Sequence, residues 1–100
     1  MKSLRDPKRK PTPPGAVLRE AVLPALKMSQ SELAKRLGVS RLSVSELLLE
    51  KRAMSPDMAV RISRLTNTTP DGWLRMQAAV DLWELQRDPK RYRHIEPVAA

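Results

Sequence analysis

The sequence contains no cysteine. That excludes a disulfide framework and any thiolate metal site. A single histidine, His94, lies near the C-terminus, which argues against a histidine-based triad or zinc cluster. There is no phenylalanine, and no segment alternates apolar and polar residues as a half-buried strand does. The three glycines are isolated and form no phosphate-cradling loop. Carboxylates are scattered along the chain, and Ser43 and Ser45 have no histidine within local reach. No apolar run approaches the length that crosses a bilayer. The start of the chain is charged and proline-rich, unlike a signal peptide. The chain is therefore expected to be no enzyme, to need no cofactor or metal, and to reside in the cytoplasm.

What is present is basic. One hundred residues, enough for one small domain, carry a net charge of +8. The charge is uneven. Residues 1–13 hold Lys2, Arg5, Lys8, Arg9 and Lys10 against Asp6, a net +4, and residues 87–100 hold a net +2. The long middle, 14–86, adds only +2. Two readings of the flanks stand: solvated tails, or arms that follow phosphates beside a docked domain.

Three regions follow from composition. Residues 1–13 are a basic, proline-rich extended lead, because Pro7, Pro11 and Pro13 discourage a regular helix. Residues 14–86 form the domain, and 87–100 a loose basic tail. Within the domain, Val17, Leu18, Ala21 and Val22 recur at helical spacing, and Pro24 is expected to limit that helix near Leu23. Ser55-Pro56 and Thr69-Pro70 each place a capping residue before a proline at the first helical position. The spacing predicts helices from each, the last running to about Gln86.

The stretch from Ser29 to Leu48 is the most informative. Ser29 with Glu32 has the spacing of a capping box. Leu33, Ala34 and Leu37 fall on one helical face, and Gly38 stands where the chain must turn. Ser40 can cap a second helix whose Val44, Leu47 and Leu48 point inward. Two short helices joined by a tight turn can present the second to the major groove of DNA, and the unit spans about residues 29–50.

The predicted fold is all-α, with five short helices. Its expected core comprises Val17, Val22, Leu33, Ala34, Leu37, Val39, Val44, Leu47, Leu48, Met58, Ile62, Leu65 and Trp73. The last helix, 70–86, carries two apolar lines: Leu74, Ala78, Leu82 and Leu85; and Trp73, Met76, Val80 and Trp83. One line suffices to dock the helix. The other is left for a second copy, and Met76, Val80 and Trp83 are the expected dimer interface.

Several segments resemble one family. They are Arg9-Lys-Pro-Thr-Pro-Pro-Gly15 leading into Leu18-Arg-Glu20, the stretch from Leu33 to Leu48, Lys51-Arg-Ala-Met-Ser-Pro-Asp-Met-Ala59, and Trp73-Leu74 with Gln77-Ala-Ala79, Asp81, Leu82 and Trp83. Together they resemble the lambda-repressor-like (Cro/C1, XRE) helix-turn-helix family, and more narrowly HigA-type antitoxins. The resemblance covers about residues 8–86. Where that family usually has Asn-Gly before a Lys-Arg pair, this chain has Leu49-Glu50. Without a glycine stop, the recognition helix is expected to run on or end less sharply.

The resemblance implies positions for DNA contacts. Ser40, Arg41, Leu42, Ser43, Ser45 and Glu46 correspond to base-reading positions. Arg41 has the fork geometry to read guanine, and Leu42 can pack on a thymine methyl. Glu46 either accepts from cytosine or pairs with Arg41 or Arg36, the second being favoured. Ser29, Gln30, Lys35, Arg36, Lys51 and Arg52 correspond to phosphate contacts. The implied partners are a palindromic double-stranded operator in the protein's own operon, a second copy of the chain, and a HigB-like toxin that cleaves mRNA. The alternatives are a stand-alone XRE regulator without a toxin, and a protein-interaction module that has lost DNA binding.

Overall fold

Four helices open at a hydroxyl cap that the sequence announces. In the computed structural model, which describes residues 8–99, Ser29, Ser40, Ser55 and Thr69 accept hydrogen bonds from the amides of Glu32, Ser43, Met58 and Gly72 at 3.0–3.3 Å. Each cap satisfies one amide that lacks an intrahelical partner and contributes about 1 kcal/mol. The helices that follow are α2 (Gln30–Leu37), α3 (Arg41–Leu48), α4 (Pro56–Thr66) and α5 (Pro70–Gln86). They are preceded by α1, residues 14–26. The described residues thus form five helices and no strand. Lys2, Arg5 and Asp6 of the lead lie outside them.

Helix α1 does not stop at Leu23. It continues through Pro24 to Leu26. Proline has no N–H to give and its ring crowds the carbonyl four residues back. Residues Leu18–Val22 form a π-turn, with the Leu23 amide bonded to Leu18 O, and this wider turn accommodates Pro24.

The core joins α1, α2, α3, α4 and the first turn of α5. Leu18, Leu33, Val44, Leu48, Ala59 and Ile62 are almost wholly buried there. Leu18, Ala59, Ala16, Met54 and Val80 are also buried, although the expected core did not include them. Val17, Val22, Val39 and Leu65, expected inside, pack partly buried against the cluster. Met54 lies in the loop between α3 and α4, where no helical spacing exists to flag it. Its amide donates to Gln77 Oε1 on α5 at 2.8 Å, which fixes that loop against the last helix.

Helix α5 docks by the line assigned to a partner. Trp73 and Val80 are buried, Val80 at 8% exposure, and Met76 packs on the core. Val80 is thus covered by its own fold and Met76 in part. Trp73 also donates its indole N–H to Thr68 Oγ1 at 2.8 Å, which fixes the start of the helix. The other line turns outward in its later part: Leu74 packs partly buried against the core, while Leu82 is 54% exposed and Leu85 is also open. Trp83 is half-buried at the edge, with the Arg87 guanidinium 4.5 Å above its ring. The lead is drawn onto the same helix. Lys10 pairs with Glu84 at 3.3 Å, and Pro11 is buried. In the tail, residues 88–94 form successive exposed turns.

Candidate nucleic-acid interface

The inner side of α3 is fixed by Val44, Leu47 and Leu48. At 3.6 residues per turn, its opposite side is centred on Leu42, Ser45, Glu46 and Leu49, with Arg41 at one edge and Ser43 at the other. Leu42 is 66% exposed and Leu49 is also open. An exposed leucine in the first turn of a helix gains nothing by its place in the fold. On a surface that enters the major groove it meets thymine methyls.

The polar residues of this side divide into two groups. Among the described residues, the side chains of Arg41, Lys35 and Lys51 form no hydrogen bond or ion pair. Ser40, Ser43 and Glu46, by contrast, are tied together. Ser40 Oγ lies 2.8 Å from Ser43 Oγ. Arg52 donates to Ser43 Oγ at 3.0 Å through Nη1 and to Glu46 Oε1 at 2.8 Å through Nη2. The partner of Glu46 is therefore Arg52, and not Arg41 or Arg36. Arg36 lies on α2 and pairs with Glu32 through two hydrogen bonds. That pairing also turns the Glu32 carboxylate away from the return bond of a capping box, so Ser29 alone caps α2 through its side chain. Gln30 is exposed at the first turn of that helix.

Two arginines from outside the helix-turn-helix hold its ends. Arg61 on α4 donates from Nη1 to Leu37 O at 2.7 Å, at the C-terminus of α2. Arg19 on α1 donates from Nη1 to Leu48 O at 2.6 Å and to Glu50 Oε2 at 3.2 Å, at the C-terminus of α3. Both place a cation where a helix dipole is negative and carbonyls lack amide partners. Glu20 first, and then Glu50, hold the Arg19 pKa above its ordinary value.

The expectation that α3 runs on is also corrected. The helix ends at Leu48, and Glu50 takes the left-handed conformation at φ 63°. The Glu50 amide bonds Leu47 O and the Lys51 amide bonds Glu46 O, the two bonds of a Schellman stop. Sequence reasoning missed Arg19 and Arg61. The only local signal was Glu50 itself, standing where a glycine was expected.

Comparison with known proteins agrees with this geometry. A sequence model described as "Helix-turn-helix" matches residues 18–73. The chain is 41% identical over 99 residues to the HTH-type transcriptional regulator YbaQ of Escherichia coli K12, covering 96% of this chain and 88% of that protein. The solved structure of antitoxin GraA in complex with its operator superposes with a TM-score of 0.84 at 32% identity, covering 98% of this chain and all of that one. Antitoxin HigA of Pseudomonas aeruginosa, solved with the higBA promoter, gives 0.82 at 32% identity, covering 90% and 100%.

Proposed function

The chain belongs to this helix-turn-helix family, and from that premise we propose that it is a sequence-specific DNA-binding repressor of the antitoxin type. The carrying observation is the outer side of α3, with Leu42 exposed and Arg41 unpaired among the described residues beside it. In this reading Arg41 reads guanine through its two parallel donors, Leu42 covers a thymine methyl, and Ser45 meets the adjoining base or phosphate. Lys51, Lys35, Gln30 and the first amides of α2 meet the flanking phosphates. GraA and HigA, solved with operator and promoter DNA, support it.

One such unit touches few bases, so the operator is a palindrome and the protein binds as a dimer. Half-sites then lie one helical turn apart, about 34 Å. The dimer forms through α5, by its outward Leu82 and Leu85 with Trp83 at the edge. Leu82→Asp then turns a dimer into a monomer by light scattering without changing helix content, and an unchanged mass places the contact elsewhere.

The second protein partner is a HigB-like mRNA-cleaving toxin, encoded beside this chain. The simpler reading is a stand-alone regulator without a toxin, in keeping with the name of the uncharacterized transcriptional regulator YbaQ. A small basic toxin that co-purifies with the chain decides for the antitoxin. The DNA reading is tested by footprinting the protein's own promoter. Protection of two half-sites about ten base pairs apart is expected, and absence of protection at saturating protein contradicts it.

A further inference from the structure

The arrangement of Ser43, Glu46 and Arg52 has a consequence for which base is read. It rests on the reading of α3 as the DNA-contacting helix. A carboxylate in the middle of a surface that must approach phosphates is repelled by them. Here the charge is compensated in place, because Arg52 holds Glu46 Oε1 at 2.8 Å and Ser43 Oγ at 3.0 Å. One guanidinium thus bridges two side chains one turn apart on α3, and both donors used in doing so are withdrawn from phosphate. The remaining oxygen, Oε2, accepts no hydrogen bond among the described residues, and Glu46 stands on the outer side of α3 four residues from exposed Leu42. In the major groove only an exocyclic amine presents a donor. Cytosine N4 lies beside C5, whose hydrogen offers no acceptor to repel a carboxylate, whereas adenine N6 lies beside the acceptor N7.

We propose that Glu46 reads a cytosine in each half-site, and that Arg52 is the positioning residue that orients and neutralises it rather than a phosphate clamp. Leu42, one turn earlier on the same strip, then packs on the neighbouring pyrimidine edge. The two assignments are separable because a phosphate clamp and a positioning residue leave different marks on salt dependence and on base preference.

The experiment measures binding of the full chain to its promoter duplex and to duplexes carrying every single-base replacement, at several salt concentrations. Wild-type protein should lose about ten- to a hundredfold in affinity when that cytosine is replaced in one half-site. Glu46→Gln should move the preference at that position alone toward adenine, whose N6 and N7 a glutamine amide matches. Arg52→Gln should flatten the preference at the same position and weaken binding, while the slope of log affinity against log salt stays as in wild type. Adding Glu46→Gln to Arg52→Gln should restore affinity, since no uncompensated carboxylate remains. The proposal is overturned if Arg52→Gln makes the salt slope shallower by about one phosphate contact and leaves every base preference intact. It is equally overturned if Glu46→Gln leaves the preferred base unchanged. Wild-type protein that fails to distinguish its promoter from random DNA overturns instead the underlying reading of α3.

Discussion

Helices α2 and α3 end in the same way by different chemistry. Each stops at a left-handed residue, Gly38 at φ 71° and Glu50 at φ 63°. Each is closed by the same pair of backbone bonds: Val39 N to Ala34 O with Gly38 N to Lys35 O, and Lys51 N to Glu46 O with Glu50 N to Leu47 O. Each has its last carbonyls capped by an arginine from a neighbouring helix, Arg61 and Arg19. They differ in what occupies the left-handed position. Glycine adopts it without steric cost, while a residue with a Cβ loses roughly 1 kcal/mol there. At the end of α3 the carboxylate of Glu50 bonds the same arginine that caps the helix, at 3.2 Å, so the strained residue is held by the element that needs the stop. A helix stop can therefore be specified by a partner 31 residues away instead of by a glycine at the position itself.

The comparison can be broken at several points. The largest effect is expected where α1 meets the end of α3. Gly15 packs directly on that backbone, and an added Cβ would overlap the Leu47 carbonyl. Gly15→Ala should destabilise by about 3 kcal/mol, read as a lower urea midpoint at unchanged slope. A neutral result would show that α1 can shift away from α3 freely. Next come the two caps. Arg61→Ala should lose about 1–2 kcal/mol, for charged hydrogen bonds at a partly exposed site. Arg19→Ala should lower the midpoint as well, and in addition weaken promoter binding, because the α3 end is the one beside the reading face. Equal effects of both variants on DNA binding would remove that distinction. The smallest and most pointed test is reciprocal. Gly38→Ala should cost roughly 1 kcal/mol, whereas Glu50→Gly should raise stability by less than that, strain relief being offset by the lost Arg19 pair. A loss in both would show that Glu50 is not strained in its place.

What could be read from the sequence follows the range of the interactions. The caps at Ser29, Ser40, Ser55 and Thr69 were legible because each bonds an amide three residues on. The inner faces of α2 and α3 were legible because burial follows the helical period. Pro24 misled, since a π-turn admitted it. The two apolar lines of α5 were found, but not which one docks. That depends on the shape of the surface the helix meets, and Trp73 and Val80 fit it. The candidate reading positions were legible as a row. The division among them was not, because Arg52 lies past the turn, six residues beyond Glu46 and nine beyond Ser43. Of the rivals, Arg41 is five residues from Glu46 on the same helix and Arg36 ten residues away on α2, and neither spacing pointed past the turn to Arg52. Arg19 and Arg61 act over 29 and 24 residues, and Glu50 at the glycine position was the one local sign of the first.

In the proposed function, the outer side of α3 reads DNA through Arg41. The direct measurement is affinity for the native promoter relative to a scrambled duplex of equal length, for wild-type protein and for Arg41→Ala, with circular dichroism on both. Wild-type protein should prefer its promoter by at least about a hundredfold. In Arg41→Ala it predicts unchanged helix content and a preference reduced about tenfold or more, the loss of a two-donor guanine contact. An Arg41→Ala protein that is folded and discriminates as well as wild type would contradict it.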